Sequence, residues 1–166
     1  MTRILMLTSM LLGLMGCSDT QLKTLDDTEI SWQQQRGQWV FINYWAQWCH
    51  PCRKEIPELN QFAQQYKGQV VVLGVNFDAP AEDELRQQTQ AMGIEFVQLS
   101  EDPAELLSFP PPTVLPATYV FDPDGIYQGV MVGPQTKASL SAWLKDRPEL
   151  KVSSSTETSI GASAQR

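Results

Sequence analysis

The sequence predicts an α/β fold, one mixed β-sheet flanked by helices on both faces, and three observations carry that prediction. Runs of aromatic and β-branched residues alternate with stretches whose apolar residues recur every three or four positions, as strands separated by helices require. Near the C-terminal end two strand-like runs flank Asp122-Pro123-Asp124-Gly125, a hairpin signal. A length of 166 residues, less a leader and a tail, matches a single core, and a hydrophobic share of 42% is enough to fill it.

The elements follow in order. Residues 1–16 join a basic start ending at Arg3 to a short apolar stretch, which reads as a secretory signal and is too short for a comfortable membrane span. Residues 17–23 read as a tether, and 25–32 as an opening strand or hairpin around Asp26 and Asp27. Residues 39–45, aromatic and β-branched, read as a strand. After Cys52, the spacing of Ile56, Leu59, Phe62, Ala63 and Tyr66 gives one buried helix face. A strand is expected over 70–76, a helix over 81–92 and a strand over 95–98. Phe109 and three prolines, Pro110 to Pro112, stiffen the chain ahead of strands over 118–122 and 126–132, and a helix over 137–145 closes the domain. The folded domain is thus placed at 24–147. From 148 to 166 the composition turns to Ser, Thr and Ala without apolar periodicity, so 152–166 reads as disordered. The chain has no internal repeats.

Trp48-Cys49-His50-Pro51-Cys52 lies where the 39–45 strand hands over to a helix. Two cysteines at this spacing can open and close a disulfide. The unpaired N–H groups and dipole of a helix N-terminus favour an anion. Together with a CxxC motif they lower a thiol pKa of about 8.5 to a value between about 3.5 and 7.5. Cys49 is therefore the expected nucleophile, and Cys52, one turn on and more buried, the thiol that resolves a mixed disulfide. A zinc site is the competing reading, but zinc takes at least three protein ligands. The chain's only histidine, His50, sits inside the motif, and its only other cysteine is Cys17. Covalent haem attachment needs a histidine after the second cysteine, and position 53 is Arg. No metal and no cofactor beyond the redox-active pair are expected.

These residues resemble the thioredoxin superfamily, and within it the membrane-anchored thiol-disulfide oxidoreductases of the TlpA/ResA/CcmG-like branch. The resemblance covers most of residues 24–147. It rests on the stretch from Trp45 to Cys52, on Pro57 five residues after the second cysteine, and on Leu115 and Pro116 opening a strand that ends at the Asp122 to Gly125 turn. It implies a thioredoxin-like fold and a cis peptide bond before Pro116, lying against the cysteine pair. A cis bond there turns the chain sharply and leaves flanking backbone for an extended client segment. Trp48, His50, Pro51 and Leu115 complete the expected client-binding surface. Thioredoxins proper have a buried Asp six residues before the first cysteine, to take the proton of the second; here that residue is Asn43, which cannot be the base. The branch uses an acid near the end of the next strand, which points to Asp78, or one on the helix, which points to Glu55. Asp78 reads equally as an acid preceding a helix, and Glu55 as a solvated helix residue. His50 either stabilises the Cys49 thiolate when charged or shapes the partner surface. A peroxidase is disfavoured, because peroxiredoxins place Thr where this chain has Ala46.

Leu14-Met15-Gly16-Cys17 looks like a bacterial lipobox, which implies cleavage before Cys17 and acylation of its sulfur and new α-amine. Several acyl chains give stable attachment where one gives marginal binding. An ordinary signal peptide with a spare cysteine is the alternative, but lipid on Cys17 leaves an even pair. Ser18, where Asp would favour retention in the inner membrane, points to the outer membrane. The net charge of −7 and pI near 4.6 argue against nucleic acid. The expectation is a lipid-anchored thiol-disulfide oxidoreductase facing the periplasm or cell exterior. Its clients are protein thiols and disulfides, apocytochrome c among the candidates, and an upstream electron donor recharges it. The resemblance favours reduction; oxidation, isomerisation and a non-catalytic thioredoxin-fold binding module stay open. Copper-delivery relatives need a distal histidine, which this chain lacks.

Overall fold

The computed structural model describes residues 19–145. The leader, Cys17, Ser18 and the 148–166 tail lie outside the described residues. The chain forms β1 (Gln21–Lys23), β2 (Glu29–Ser31), a 3-10 helix (Gln33–Gln35), β3 (Trp39–Trp45), α1 (His50–Gln65), β4 (Val70–Asn76), α2 (Glu82–Met92), β5 (Val97–Gln98), β6 (Ala117–Phe121), β7 (Tyr127–Val132) and α3 (Lys137–Lys145). The main sheet has the order β5-β4-β3-β6-β7. β4 lies parallel to both β3 and β5, whereas β6 runs antiparallel to β3 and β7, so the sheet is mixed, as the sequence predicts. β3 is buried at every position, which explains why it reads as an apolar run without alternation.

The hairpin comes earlier than expected. Gln21–Lys23, read as part of the tether, pairs with Glu29–Ser31, and residues 24–28 make the turn. Leu22 is thereby buried in the core.

Helices were expected on both faces, and the structure divides the cover differently. α1 and α3 pack on the face of Trp39, Phe41, Val70, Val72 and Val120 through Leu59, Phe62, Leu140 and Leu144. α2 joins the same side: Leu85 and Met92 meet Trp45 and Ile56, and the α1 residue Asn60 bonds Gly93 and Glu95 just beyond the end of α2. The reason is handedness. β3-α1-β4 and β4-α2-β5 are successive parallel crossovers moving the same way across the sheet, and right-handed connections then place both helices on one side. The opposite face, with Val40, Ile42, Tyr44, Leu73, Val75, Tyr119 and Phe121, is covered by Leu22, Trp32 beside the 3-10 helix, Ala104 and Phe109. Phe109 follows an isolated turn, closed by the Leu107 N–H on the Pro103 carbonyl at 2.9 Å, and its ring meets Tyr44, Tyr119, Phe121 and Tyr127. The Tyr44 hydroxyl donates to Asp102, fastening this segment. Burial and that carboxylate push the Tyr44 pKa well up, so it stays a donor.

Two glycines have specific work. Gly93 ends α2 in the left-handed conformation, φ 68°. A Cβ on Gly74 would lie 2.2 Å from Gln98 Nε2, because the Gln98 side chain crosses β4 there to accept from Trp45 Nε1 at 2.8 Å.

Candidate active site

β3 ends at Trp45, and the turn 46–48 carries the chain into α1 with Cys49 as its N-cap. The Cys49 N–H donates to the Ala46 carbonyl at 3.1 Å, and Arg53 reaches back to the Gln47 carbonyl with a guanidinium N–H at 2.7 Å. Pro51 lies in the first helical turn, where its missing N–H has no intrahelical partner to lose. Cys49 and Cys52 are joined in a disulfide, with a Cα–Cα distance of 5.3 Å. The Cys52 N–H points at Cys49 Sγ, 3.2 Å away. Cys49 is 3% exposed and Cys52 fully buried, among Leu25, Trp45, Ala46, Ile56, Leu85 and Met92. The turn thus aims the Cys52 N–H and the α1 N-terminus at Cys49 Sγ and places Cys52 a turn deeper in the same apolar cluster. Ala46, fully buried beside the pair, brings no hydroxyl to it.

The Leu115-Pro116 bond is cis, as the resemblance implies. Pro116 is buried, Leu115 is half-buried against the cysteine cluster, and Val114 is exposed. The Pro116 carbonyl accepts the Gly133 N–H at 2.9 Å, tying this loop to the end of β7. Trp48, 65% exposed, and Phe77 add apolar surface, and His50 is exposed at the start of α1.

The two candidate acids separate. Glu55, 1% exposed, lies one turn after Cys52 on the same buried helix face. Its Oε1 accepts from Asn43 Nδ2 at 2.7 Å, and its Oε2 from the Gln135 N–H at 2.9 Å. Asn43 Nδ2 also donates to Thr118 Oγ1 at 3.0 Å. Burial raises the Glu55 pKa to about 7, with the bonds from Gln135 and Asn43 acting the other way. The solvated reading of Glu55 is removed. Asp78 is exposed and accepts from Trp48 Nε1 at 2.8 Å, so it bonds the motif's tryptophan and neither cysteine. Nor does it cap α2, whose N-cap is Ala81 and whose first turn carries Glu82, Asp83 and Glu84.

Three residues that the sequence reading passed over belong to this arrangement. Gln135 bonds Glu55, Thr118 bonds the Asn43 amide that donates to it, and Gln98 holds Trp45. Thr118 lies in the strand that Leu115 and Pro116 open, Gln98 and Gln135 in no motif, and each reaches the site across the sheet or from another loop. Only the position of Gln135, just after Gly133 and Pro134 at a strand end, marks it as loop.

A buried CxxC at a helix N-terminus, a cis-proline loop against it and a buried carboxyl one turn away together suit disulfide exchange. Comparison with known proteins agrees. A family model described as AhpC/TSA matches residues 16–130. The chain belongs to the AhpC/TSA family. The thioredoxin-like protein YneN of Bacillus subtilis is 31% identical over 74% of this chain and 72% of its own length. The thiol-disulfide oxidoreductase ResA of Bacillus thuringiensis is 29% identical over 73% of this chain and 70% of its own. Among solved structures, a thiol:disulfide interchange protein of the thioredoxin family from Chlorobium tepidum superposes with a TM-score of 0.65, at 25% identity over 77% of this chain and 92% of that one. This AhpC/TSA member is a thiol-disulfide oxidoreductase with a thioredoxin-like fold.

Proposed function

We propose that the protein acts as a reductant of disulfides in client proteins outside the cytoplasm, held to a membrane by lipid on Cys17. The observation that carries the exchange chemistry is the Cys49-Cys52 pair at the α1 N-terminus, with cis Pro116 on one side and buried Glu55 behind. In the reduced protein the Cys49 thiolate attacks one sulfur of the client disulfide. A Cys49-client bond forms, and the client's other sulfur leaves as a thiolate that takes a proton from water. Cys52 then gives its proton to Glu55, directly or through one water, and attacks Cys49 Sγ. The Cys49-Cys52 bond forms, the second client sulfur leaves, and two electrons have passed to the client. A dithiol electron donor restores the pair. Glu55, with a pKa near 7, can take and return that proton at neutral pH, which Asp78, bonded to Trp48, is not placed to do.

The client segment lies extended along Leu115 and Pro116, flanked by Trp48, His50, Pro51 and Val114. Apocytochrome c is one such client. The lipobox-like sequence ending at Cys17 supports the anchor, and Ser18 supports outer-membrane sorting, which would separate the domain from an inner-membrane electron donor. The test is two-part. Reduction of a disulfide-bonded protein by a dithiol donor should depend on Cys49 and Cys52, and Cys17→Ala should move the protein from the membrane to the soluble fraction. A parent that turns over no disulfide removes the reductase role; a soluble parent with unmodified Cys17 removes the anchor.

A further inference from the structure

Glu55 uses both carboxylate oxygens, and they bind different parts of the fold. Oε1 faces β3 through Asn43, while Oε2 takes the Gln135 N–H at 2.9 Å from the connection between β7 and α3. The Gln135 side chain turns back along its own loop, donating from Nε2 to the Gly133 carbonyl at 2.8 Å and accepting from Ser139 Oγ at 3.0 Å. Gly133 in turn donates its N–H to the Pro116 carbonyl at 2.9 Å. Hydrogen bonds therefore run unbroken from the carboxyl behind Cys52, through Gln135 and Gly133, to the cis-proline loop.

We propose that Gln135 is a positioning residue for disulfide exchange, whose side chain holds residues 133–135 so that one short loop both steadies the Pro116 client groove and solvates the Glu55 carboxylate. The proposal rests on the reading of Glu55 as acceptor of the Cys52 proton. Physically, an amide N–H aimed at a buried carboxylate stabilises its charged form, and it does so only while the backbone that carries it is held still. Gly133 is tied to Pro116 by its own N–H, and neither it nor Pro134 adds a side-chain donor, so the two contacts of the Gln135 amide brace the stretch between that tie and α3. The start of α3 has its own supports, the Lys137 N–H on Glu58 Oε2 at 2.8 Å and the Thr136 N–H on Ser139 Oγ at 3.0 Å. Other charged or titratable groups on the elements around Glu55 are the exposed His50, Arg53 and Lys54 and the half-buried Glu58 on α1, Lys137 on α3, Tyr44 on β3 and Tyr119 on β6, both on the opposite face, and Cys49 and Cys52 once reduced; Asn43 and Thr118 are neutral. Because coupling between two sites is reciprocal, a client that orders the Pro116 loop also favours charge on Glu55, at the step where Cys52 must lose its proton.

Gln135→Met keeps the side-chain volume and removes both amide contacts. In the oxidised protein, where Cys49 and Cys52 do not titrate, carboxyl ¹³C NMR follows Glu55 directly. The Gln135 N–H bond lowers the Glu55 pKa, so loosening it should move the titration midpoint up by about half a pH unit or more. KM for a disulfide-bonded peptide should rise about threefold or more, while kcat/KM for a small aromatic disulfide changes less than about twofold. Ala138→Ser, exposed on the first turn of α3, should leave both readings at parental values. An unmoved midpoint in a folded Gln135→Met protein, or equal losses on the two substrates, overturns the proposal. An exchange-rate inflection near pH 7 that survives Glu55→Gln overturns the proton-acceptor reading and this one with it. One that Glu55→Gln abolishes and Gln135→Met leaves in place overturns only the role of Gln135.

Discussion

At the scale of single residues the site turns on two sulfurs and one carboxyl. Cys49 and Cys52 are three residues apart and share one apolar cluster, Cys49 as the α1 N-cap with the Cys52 N–H on its sulfur and Cys52 a turn deeper and fully buried. Glu55 would be an unexceptional helix residue were it not for Asn43, which turns a potential solvent-facing acid into a buried, bonded one. Its raised pKa makes stability depend on pH with a definite sign. Between about pH 4.5, where the unfolded chain releases this proton, and about 7, where the folded protein does, the folded state binds more protons than the unfolded state. This contribution is therefore fully present below that window and falls as pH rises through it, by up to about 1.4 kcal/mol per pH unit. Chemical denaturation of the oxidised protein at a series of pH values should show that slope, and Glu55→Gln should flatten it. A parental slope retained by the variant would move the burial penalty to another group. The sequence narrowed the acid to Glu55 or Asp78 and stopped there. A helix position is solvated or buried according to what faces it, and the facing residues, Asn43, Thr118 and Gln135, come from β3, β6 and the loop after β7.

At the scale of elements, local patterns were legible where the chemistry is local. β3 and β4 begin and end where their apolar runs do, and the helix after Cys52 follows its periodicity through Pro57, whose missing N–H leaves the Arg53 carbonyl without its intrahelical donor. The hairpin at Asp122 is also as read, with Asp122 Oδ1 accepting the N–H groups of Asp124 and Ile126 at 3.0 and 2.8 Å. Illegible was β1, three residues whose only apolar member is Leu22; the strand expected over 95–98 is present as β5 but shortened to Val97–Gln98, because the Glu95 N–H is taken by Asn60 and Phe96 turns into the core. Pairings between elements are equally hidden. Gln98 lies flat on Gly74 to hold Trp45, a contact that places the last residue of β3 and hence the turn to Cys49. Gly74→Ala should push the Gln98 amide aside, cost about 1–3 kcal/mol in urea unfolding and weaken the Trp45 bond. An unchanged midpoint would show that Gln98 can yield freely.

At the scale of the whole molecule, and among the described residues, α1, α2 and α3 share one face of the sheet and a hairpin, a 3-10 helix and the Phe109 segment share the other, while the cysteines sit where α1 leaves the strand ends. The cis-proline loop reaches the same end from β6, so the site is assembled at one end of the central strands by three connections, 46–49, 113–116 and 133–135. That gathering was predictable only through the resemblance, because no local pattern tells the Pro116 loop that it will meet Cys49. The consequence for the reaction is an order of events: the outer sulfur meets the client, and the inner one, behind it and next to Glu55, releases it. Trapping in cells tests that order most directly. Cys52→Ser should accumulate mixed disulfides between Cys49 and client proteins, visible on non-reducing gels and lost on reduction, while Cys49→Ser accumulates few. Equal trapping by the two variants, or trapping by Cys49→Ser alone, would contradict the account.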